Sequence, residues 1–319
     1  MVSPRRRYGS WTRARGLVRC AGVGAVIVGL GSALSLQTAS AQSADSKPTG
    51  FKVLTIGGGA RAVGLAETIV SGVDDPFVLE YNPAGLTAVE RFTVSFAHNS
   101  YFLDTHGEYL ALAVPIGRWA VAARAAYVGS SEFPRRDTPT ENPLYLYDAS
   151  DGIFQGAIAG PVDERLSVGI SAAWVVEHID VETAQSVVLG FGALYRLRHD
   201  IQIGASFVNV GPPAKFIDQE FKMPAQLRLG GHWFTGALTA RAELVAGEDD
   251  NVKWHLGGEY RIDPRLDLRG GVRVGYDTQW FVAGFGVHLP DGRFGVDYAF
   301  APYTDDFGST HRLGLTVRP

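Results

Sequence analysis

Apolar side chains recur at every second position from Arg91 to the end of the 319-residue chain, and no long stretch there has helical spacing. The alternation is clearest over residues 119–127, 166–176 and 187–195. A period of two indicates β-strands that carry one apolar face. The sequence therefore predicts an all-β fold that begins near residue 90.

The alternating pattern divides into fourteen segments, and most of them have the length that a tilted strand needs to cross a bilayer, about 9–11 residues. These predicted strands cover residues 91–100, 108–115, 119–129, 152–160, 166–178, 185–197, 201–210, 223–234, 238–247, 252–261, 266–275, 279–289, 294–302 and 311–318.

The connections between these segments alternate in length. Every even-numbered connection is tight, as at 116–118, 263–265 and the Asp291-Gly292 hairpin signal. Most odd-numbered connections are longer or acidic, and the longest run over 130–151 and 211–222. Short periplasmic turns opposite long external loops are typical of outer-membrane barrels. We therefore expect a 14-stranded antiparallel transmembrane β-barrel over residues 90–319, surrounded by membrane lipid.

Charged side chains of both signs occupy the strand face opposite the apolar one. They are expected to point into the lumen, because a charge on the lipid face costs about 2–4 kcal/mol at the bilayer midplane. The alternative is a secreted β-sandwich with a solvated polar face, which alternation by itself does not exclude. The predicted lumen-facing residues are Arg124, Arg228, Arg241, Glu243, Lys253, Glu259, Asp267, Arg269, Arg273, Asp297 and Arg312.

The first 41 residues have the composition of a secretory signal peptide. They contain six arginines and no acidic residue, then an apolar run over 21–36, then Ala39-Ser40-Ala41. The remaining 278 residues carry 23 basic and 33 acidic side chains, a net charge of −10, and no cysteine. This charge disfavours nucleic acid as a partner, and the missing cysteine excludes disulfides and thiolate metal sites. We expect export to the outer membrane.

Residues 42–89 precede the predicted barrel and need a separate interpretation. The sequence over 51–62, FKVLTIGGGARA, fits the G-x-G-x-x-A turn of dinucleotide-binding folds, but no alternation of strands and helices follows it. A small-sided helix packed against the barrel wall is the favoured interpretation. Asn82-Pro83-Ala84-Gly85 suits a type I turn. We expect this segment to fill a lumen that fourteen strands would otherwise leave wide.

Two motifs resemble a known family. Residues 60–86, ARAVGLAETIVSGVDDPFVLEYNPAGL, look like the N-terminal signature of the PorV/PorQ family, and residues 298–317, YAFAPYTDDFGSTHRLGLTV, are similar to its last hairpin. The resemblance covers residues 51–319. It implies a barrel of the long-chain fatty-acid transporter (FadL-like) type, plugged by an N-terminal hatch with an Asn-Pro-Ala motif. The corresponding hatch residues are Asp74, Asp75, Asn82, Pro83, Ala84 and Gly85.

The resemblance implies two functions. FadL-like members pass hydrophobic small molecules through the barrel. PorV-type members are accessory components of a protein secretion system of type IX that bind exported proteins at the cell surface, here through 130–151 and 211–222. One departure is the ending Val317-Arg318-Pro319, which lacks the terminal aromatic residue that assembly machinery commonly reads.

No catalytic residue, metal ligand or cofactor is predicted. The eight histidines are scattered singly, and the chain contains neither H-E-x-x-H nor G-x-S-x-G. A Ser-His-Asp site assembled from separate strands is not visible in a sequence, so hydrolase activity stays the minor alternative. The acidic run 248–250 has the ligand type that Ca²⁺ prefers, but a solvated loop is the favoured interpretation.

Overall fold

Fourteen strands close into one antiparallel barrel in the computed structural model, which describes residues 48–139, 141–247, 252–304 and 308–319. The predicted fold class is thereby confirmed. The expected signal peptide and the acidic run 248–250 lie outside the described residues. Within the described ranges, no helix is both long enough and apolar enough to cross a membrane.

Sixteen strands and four short helices make up the described chain. The α-helix α1 spans Ala60–Gly64, and the 3₁₀ helices η1, η2 and η3 span Lys52–Thr55, Pro76–Glu80 and Pro83–Ala88. The strands are β1 Thr93–Ser100, β2 His106–Ile116, β3 Trp119–Arg135, β4 Tyr145–Pro161, β5 Leu166–Ile179, β6 Glu182–Arg198, β7 Ile201–Val210, β8 Ala214–Phe216, β9 Gln219–Phe221, β10 Gln226–Thr235, β11 Leu238–Gly247, β12 Lys253–Asp263, β13 Leu266–Val274, β14 Phe281–His288, β15 Phe294–Pro302 and β16 Ser309–Val317.

The barrel pairs strands in chain order, with two exceptions. Strand β7 pairs with β10, because β8 and β9 form a separate small hairpin. Strand β1 pairs with β16 and closes the cylinder, with Ala97 opposite Gly314. No barrel strand among the described residues is therefore left as an edge strand that could pair with another chain.

Side chains alternate between the lumen and the outside along each strand. In β16, Thr310 and Arg312 face inward and are 0% and 3% exposed, whereas Leu313 and Leu315 face outward and are 53% and 43% exposed. Large apolar side chains are exposed in the same way on nearly every barrel strand. An apolar exterior of this extent is stable against hydrocarbon and aggregates in water.

Residues 51–89, here called the plug, lie inside the barrel. Most of their apolar side chains are buried, and Val63, Leu65, Ile69 and Leu86 are completely buried. The expected turn over Asn82 to Gly85 forms, since the Gly85 amide donates to the Asn82 carbonyl over 2.9 Å, and it continues as the 3₁₀ helix η3, of which Asn82 is the N-cap. The expected small-sided helix is only α1, and the backbone reverses at Ala66 and Glu67, whose φ angles are +53° and +60°.

The two ends of the barrel differ as the connections predict. We call them the short-turn end and the long-loop end. The connection expected over 130–151 is mostly strand, however, because β3 continues past a bulge at Ser130 to Arg135 and pairs with a β4 that begins at Tyr145. Glu132 in the bulge has φ +66°, which interrupts the alternation that identified the strand. The 211–222 connection contains the β8–β9 hairpin, which was not predicted.

Candidate functional site

Asn82 joins the plug to the barrel wall. Its side chain is completely buried, and its Oδ1 accepts a hydrogen bond from the Ala84 amide over 3.0 Å, which caps η3. Its Nδ2 donates to the carbonyl of Val70 over 2.6 Å and to that of Ala193 in β6 over 3.1 Å. One side chain therefore fixes a helix start, a second plug segment and a barrel strand.

Inward-facing glycines on eight of the fourteen barrel strands, here called the glycine ring, lie beside the plug. A Cβ atom at Gly192 would lie 1.9 Å from Oδ1 of Asn82, and one at Gly204 would lie 2.1 Å from the carbonyl oxygen of Val70. These wall positions accept only glycine while the plug is in place. The glycine ring consists of Gly169, Gly192, Gly204, Gly230, Gly257, Gly271, Gly284 and Gly314, each on the lumen face of a different strand.

Arg228 and Glu243 form a buried ion pair that holds the middle of the plug. Nε of Arg228 lies 2.6 Å from Oε1 of Glu243, and both side chains are at most 6% exposed. The other carboxylate oxygen accepts the Val70 amide over 3.0 Å, and Nη2 of Arg228 donates to the Glu67 carbonyl over 3.2 Å. Both charges are therefore paired and also bonded to plug backbone, as burial requires.

Arg241 extends this contact along the plug backbone. Its Nη1 donates to the carbonyl oxygens of Thr68 over 3.4 Å and of Gly72 over 3.1 Å. Asn82 at the start of η3 therefore binds the non-helical stretch after Glu67 from one side, and Arg228 and Arg241 bind it from the other. Their donors pair backbone carbonyls that no regular secondary structure pairs.

A second network centres on Arg269. Its Nε lies 2.6 Å from Glu259, and its other nitrogens contact Asp297 and, at 3.6 Å, Asp267. Glu259 also receives a bidentate contact from Arg61 of α1, at 3.0 and 3.2 Å. The network therefore ties the start of the plug to strands β12, β13 and β15.

Three of the remaining predicted lumen charges contact the plug. Arg273 lies 2.8 Å from the Glu67 carboxylate, and Arg124 lies 2.8 Å from that of Glu80. Arg312 donates to the Gly57 carbonyl. The ammonium of Lys253 lies 4.4 Å from the centre of the Tyr276 ring, in a cation–π contact at the long-loop end.

The two aspartates of the hatch motif have different partners. Asp74 is paired with Arg318 near the end of the chain, with Nη2 of Arg318 3.3 Å from Oδ2. Asp75 is buried and caps η2 by accepting the Phe77 amide over 2.9 Å. Burial raises the pKa of Asp75 to about 6. Gly85 follows in η3, where a Cβ would lie 2.3 Å from the Val78 side chain.

The lumen wall has two chemically different halves. Strands β10–β16 supply the arginines and carboxylates that bind the plug. The inward positions of β2–β6 are mostly small and apolar, and Arg124 is the one guanidinium that pairs with a plug carboxylate from this side among the described residues. The buried small residues of this half include Ala111, Ala113, Ala120, Ala122, Ala126, Ala159 and Ala173.

A cavity of about 480 Å³, here called the long-loop cavity, lies above the plug beside β3–β5. Its walls include Phe51 and Val53 of the plug, Val128 of β3, and Phe216 and Phe221 of the β8–β9 hairpin. The hairpin is joined to the start of the described chain, since the Gly50 amide donates to the Lys222 carbonyl and the Lys222 amide to that of Pro48. The cavity size and apolar lining are typical of small-molecule sites.

A second cavity, of about 720 Å³, lies below η3 at the short-turn end of the same half. Trp119, Leu194 and Val89 line it together with Arg118 and Arg165, which lie in the β2–β3 and β4–β5 turns. The plug separates the two cavities, and its Leu79 carbonyl accepts a 3.5 Å contact from Gln155 of the apolar wall.

The residues that sequence reasoning missed lie mainly in the plug. Arg61, Glu67 and Glu80 bind wall charges, yet they sit in short helices and irregular backbone where no periodicity marks a face. The glycine ring did leave a signal, because its members occupy the lumen phase of predicted strands. Within the described ranges, no group of three or more His, Asp or Glu side chains is placed to hold a metal ion.

Comparison with known proteins gives a partial family match. Residues 26–138 match the model of an uncharacterised protein family, UPF0164. No curated protein sequence matches the chain.

Solved structures share the fold at low sequence identity. The toluene transporter TbuX of Ralstonia pickettii superposes with a TM-score of 0.63 at 15% identity, covering 82% of this chain and 98% of that one. The toluene transporter TodX of P. putida gives 0.63 at 12% identity, covering 82% and 99%. A FadL homologue of Pseudomonas aeruginosa gives 0.54 at 13% identity, covering 82% and 98%. The plugged 14-stranded barrel is therefore the fold of outer-membrane FadL-type transporters.

Proposed function

We propose that the chain is an outer-membrane, FadL-like conduit for a hydrophobic small molecule. The observation that carries this proposal is the apolar long-loop cavity directly above a plug that occupies the lumen. Solved barrels of the same fold include two toluene transporters, which supports a ligand of comparable size. In this proposal the long-loop end is external, residues 1–41 direct export, residues 42–89 act as the hatch, and no step needs enzymatic chemistry.

The hatch motif has a structural role in this proposal. Asp75 and Asn82 each cap a 3₁₀ helix, and the proline after each starts that helix. The lumen charges keep the plug seated on the β10–β16 side. Passage then follows the apolar β2–β6 side, where few polar contacts have to break and both cavities lie.

The test fills the long-loop cavity. Val128→Trp places an indole into the cavity, whereas Val121→Trp adds the same group to the lipid face of the same strand and serves as the matched control. We expect uptake of radiolabelled toluene by proteoliposomes to fall at least fivefold in the first variant and to stay near wild type in the second. Equal uptake by all three proteins, or no uptake above that of protein-free liposomes, contradicts the proposal.

The PorV-like secretion role is the second candidate, and one observation favours it. The β3–β4 hairpin extends past the barrel at the long-loop end and exposes Leu144, Tyr145 and Leu146 by 65%, 47% and 55%. Exposed apolar residues on a projecting hairpin are typical of protein-binding surfaces. Co-purification of secreted proteins or secretion-channel components, lost when Leu144 and Leu146 are both changed to serine, would favour this role over transport.

A further inference from the structure

Two carboxyl side chains lie on the wall of the long-loop cavity. Asp151 of β4 and Glu177 of β5 stand directly opposite each other in the strand pairing, and both line the cavity. Directly opposite side chains on one sheet face have Cβ atoms about 4.5–5.5 Å apart, and like charges there repel. The pair therefore concentrates negative charge at one side of a mostly apolar space.

This pair differs from the carboxylates deeper in the lumen. Glu80, Glu243 and Glu259 each have an arginine within 3.0 Å, and Asp297 contacts one as well. Among the ion pairs formed within the described ranges, none includes Asp151 or Glu177. The carboxylates deeper in the lumen thus have guanidinium partners, whereas no arginine among the described residues pairs with Asp151 or Glu177.

The N-terminal end of the plug leaves the pair open to the cavity. One oxygen of Glu177 accepts the Phe51 amide over 3.2 Å, which positions this carboxyl beside the apolar Phe51 ring. No hydrogen bond to the Asp151 side chain is formed by the described residues, so its oxygens are available to a ligand. Lys52 also lines the cavity, and its side chain is exposed at the rim.

We infer that the long-loop cavity takes a hydrophobic amine: an apolar body fills the space between Phe51, Val128 and Phe216, and a protonated nitrogen binds between Asp151 and Glu177. A cation there removes the repulsion of the carboxyl pair and forms charge-assisted hydrogen bonds. This inference rests on the proposed conduit function and names the ligand class of its external site.

The experiment compares three ligands that share a phenyl ring on a four-carbon chain and differ in the polar group at its end. Binding of 4-phenylbutylamine, 4-phenylbutan-1-ol and 4-phenylbutyrate is measured by equilibrium dialysis on the full chain in nanodiscs of zwitterionic lipid, with empty nanodiscs subtracted. We expect the amine to bind about tenfold more tightly than the alcohol, the gain that one charge-assisted hydrogen bond provides, and the acid to bind most weakly.

Variants of the two acids test whether they cause the preference for the amine. Asp151→Asn and Glu177→Gln should each bring amine affinity within about threefold of the alcohol affinity measured on the same variant. Glu182→Gln is the matched control, because Glu182 is an exposed acid at the same barrel end that does not line the cavity. It should keep the preference of the wild type.

Three results would contradict the inference that the cavity takes an amine. Equal binding of amine and alcohol overturns the amine inference and leaves the conduit proposal standing. Tightest binding of the acid also overturns it and assigns the polar contact to Lys52. Absence of binding of all three compounds overturns both the inference and the use of this cavity as a ligand site.

Discussion

Replacing Asn82 by alanine tests whether the plug is held by the contacts described above. The change removes the η3 cap, worth about 1 kcal/mol. It also leaves the buried Val70 carbonyl without its 2.6 Å donor, which costs about 2 kcal/mol, and breaks the bond to Ala193, worth about 1 kcal/mol. The free energy of plug opening should fall by about 4 kcal/mol, close to a thousandfold in the opening equilibrium.

Hydrogen exchange measures this opening directly. We expect amides of the plug in Asn82→Ala to exchange about a thousandfold faster, while barrel amides stay protected because the strand ladder is unchanged. Asn82→Asp separates the contributions: it keeps the capping oxygen but replaces the Nδ2 donor by an acceptor facing two carbonyls. Thr87→Val, which removes one local bond within η3, is the control.

The plug of the aspartate variant should be at least as destabilised as that of the alanine variant. Plug protection that is unchanged in both would show that the Asn82 contacts do not hold the plug. Loss of barrel protection together with plug protection would show that plug and barrel unfold as one unit.

Three further predictions concern the wall and the plug. Gly192→Ala should lower the melting temperature of the detergent-solubilised protein, because its Cβ collides with Oδ1 of Asn82. Gly156→Ala should not lower it, because an added Cβ there has nothing within 4 Å. Glu243→Gln should destabilise the folded protein in urea by about 3–5 kcal/mol, because it removes the carboxylate partner of the buried Arg228 charge. Burial raises the pKa of Asp75 to about 6, so the folded state binds the extra proton and the contribution of Asp75 to plug protection should be largest below pH 4 and be lost as the pH rises to 6. Plug protection in the wild type relative to that in Asp75→Asn should therefore decrease over this interval, and an increase of this ratio would contradict the sign.

The barrel could be predicted from the sequence because membrane strands impose a strict period of two. Hydrocarbon outside and charged groups inside force apolar and polar residues onto opposite faces, so predicted segments such as 238–247 and 294–302 agree with β11 and β15. The predicted ends fail where this constraint ends. The register of β3 against β4 shifts between Ser130 and Phe133, and Glu132 in this bulge has a positive φ, so the alternation changes phase there.

The site could be predicted only in part, for a physical reason. A lumen charge is visible as a break in the apolar pattern, but its partner is set by where the plug lies. Arg228 and Glu243 are diagonal neighbours on the paired strands β10 and β11, whereas Arg61 meets Glu259 over 198 positions of sequence. Short 3₁₀ helices such as η2 have no amphipathic period, so the plug offers no pattern from which its contacts could be read. The long-loop cavity depends in addition on the unpredicted β8–β9 hairpin.

The glycine ring has a consequence for biogenesis. Its members lie on strands from β5 to β16, and the last of them, Gly314, lies beside Ala60 near the beginning of the plug, where an added Cβ would be 3.4 Å from the Ala60 Cβ. A finished cylinder has no room to thread a folded plug past these close backbone contacts, so the plug has to be enclosed while the wall is still open. Joining of β1 to β16 is then the step that traps it, and the earliest described residues of the chain reach their final positions only when the last strand arrives.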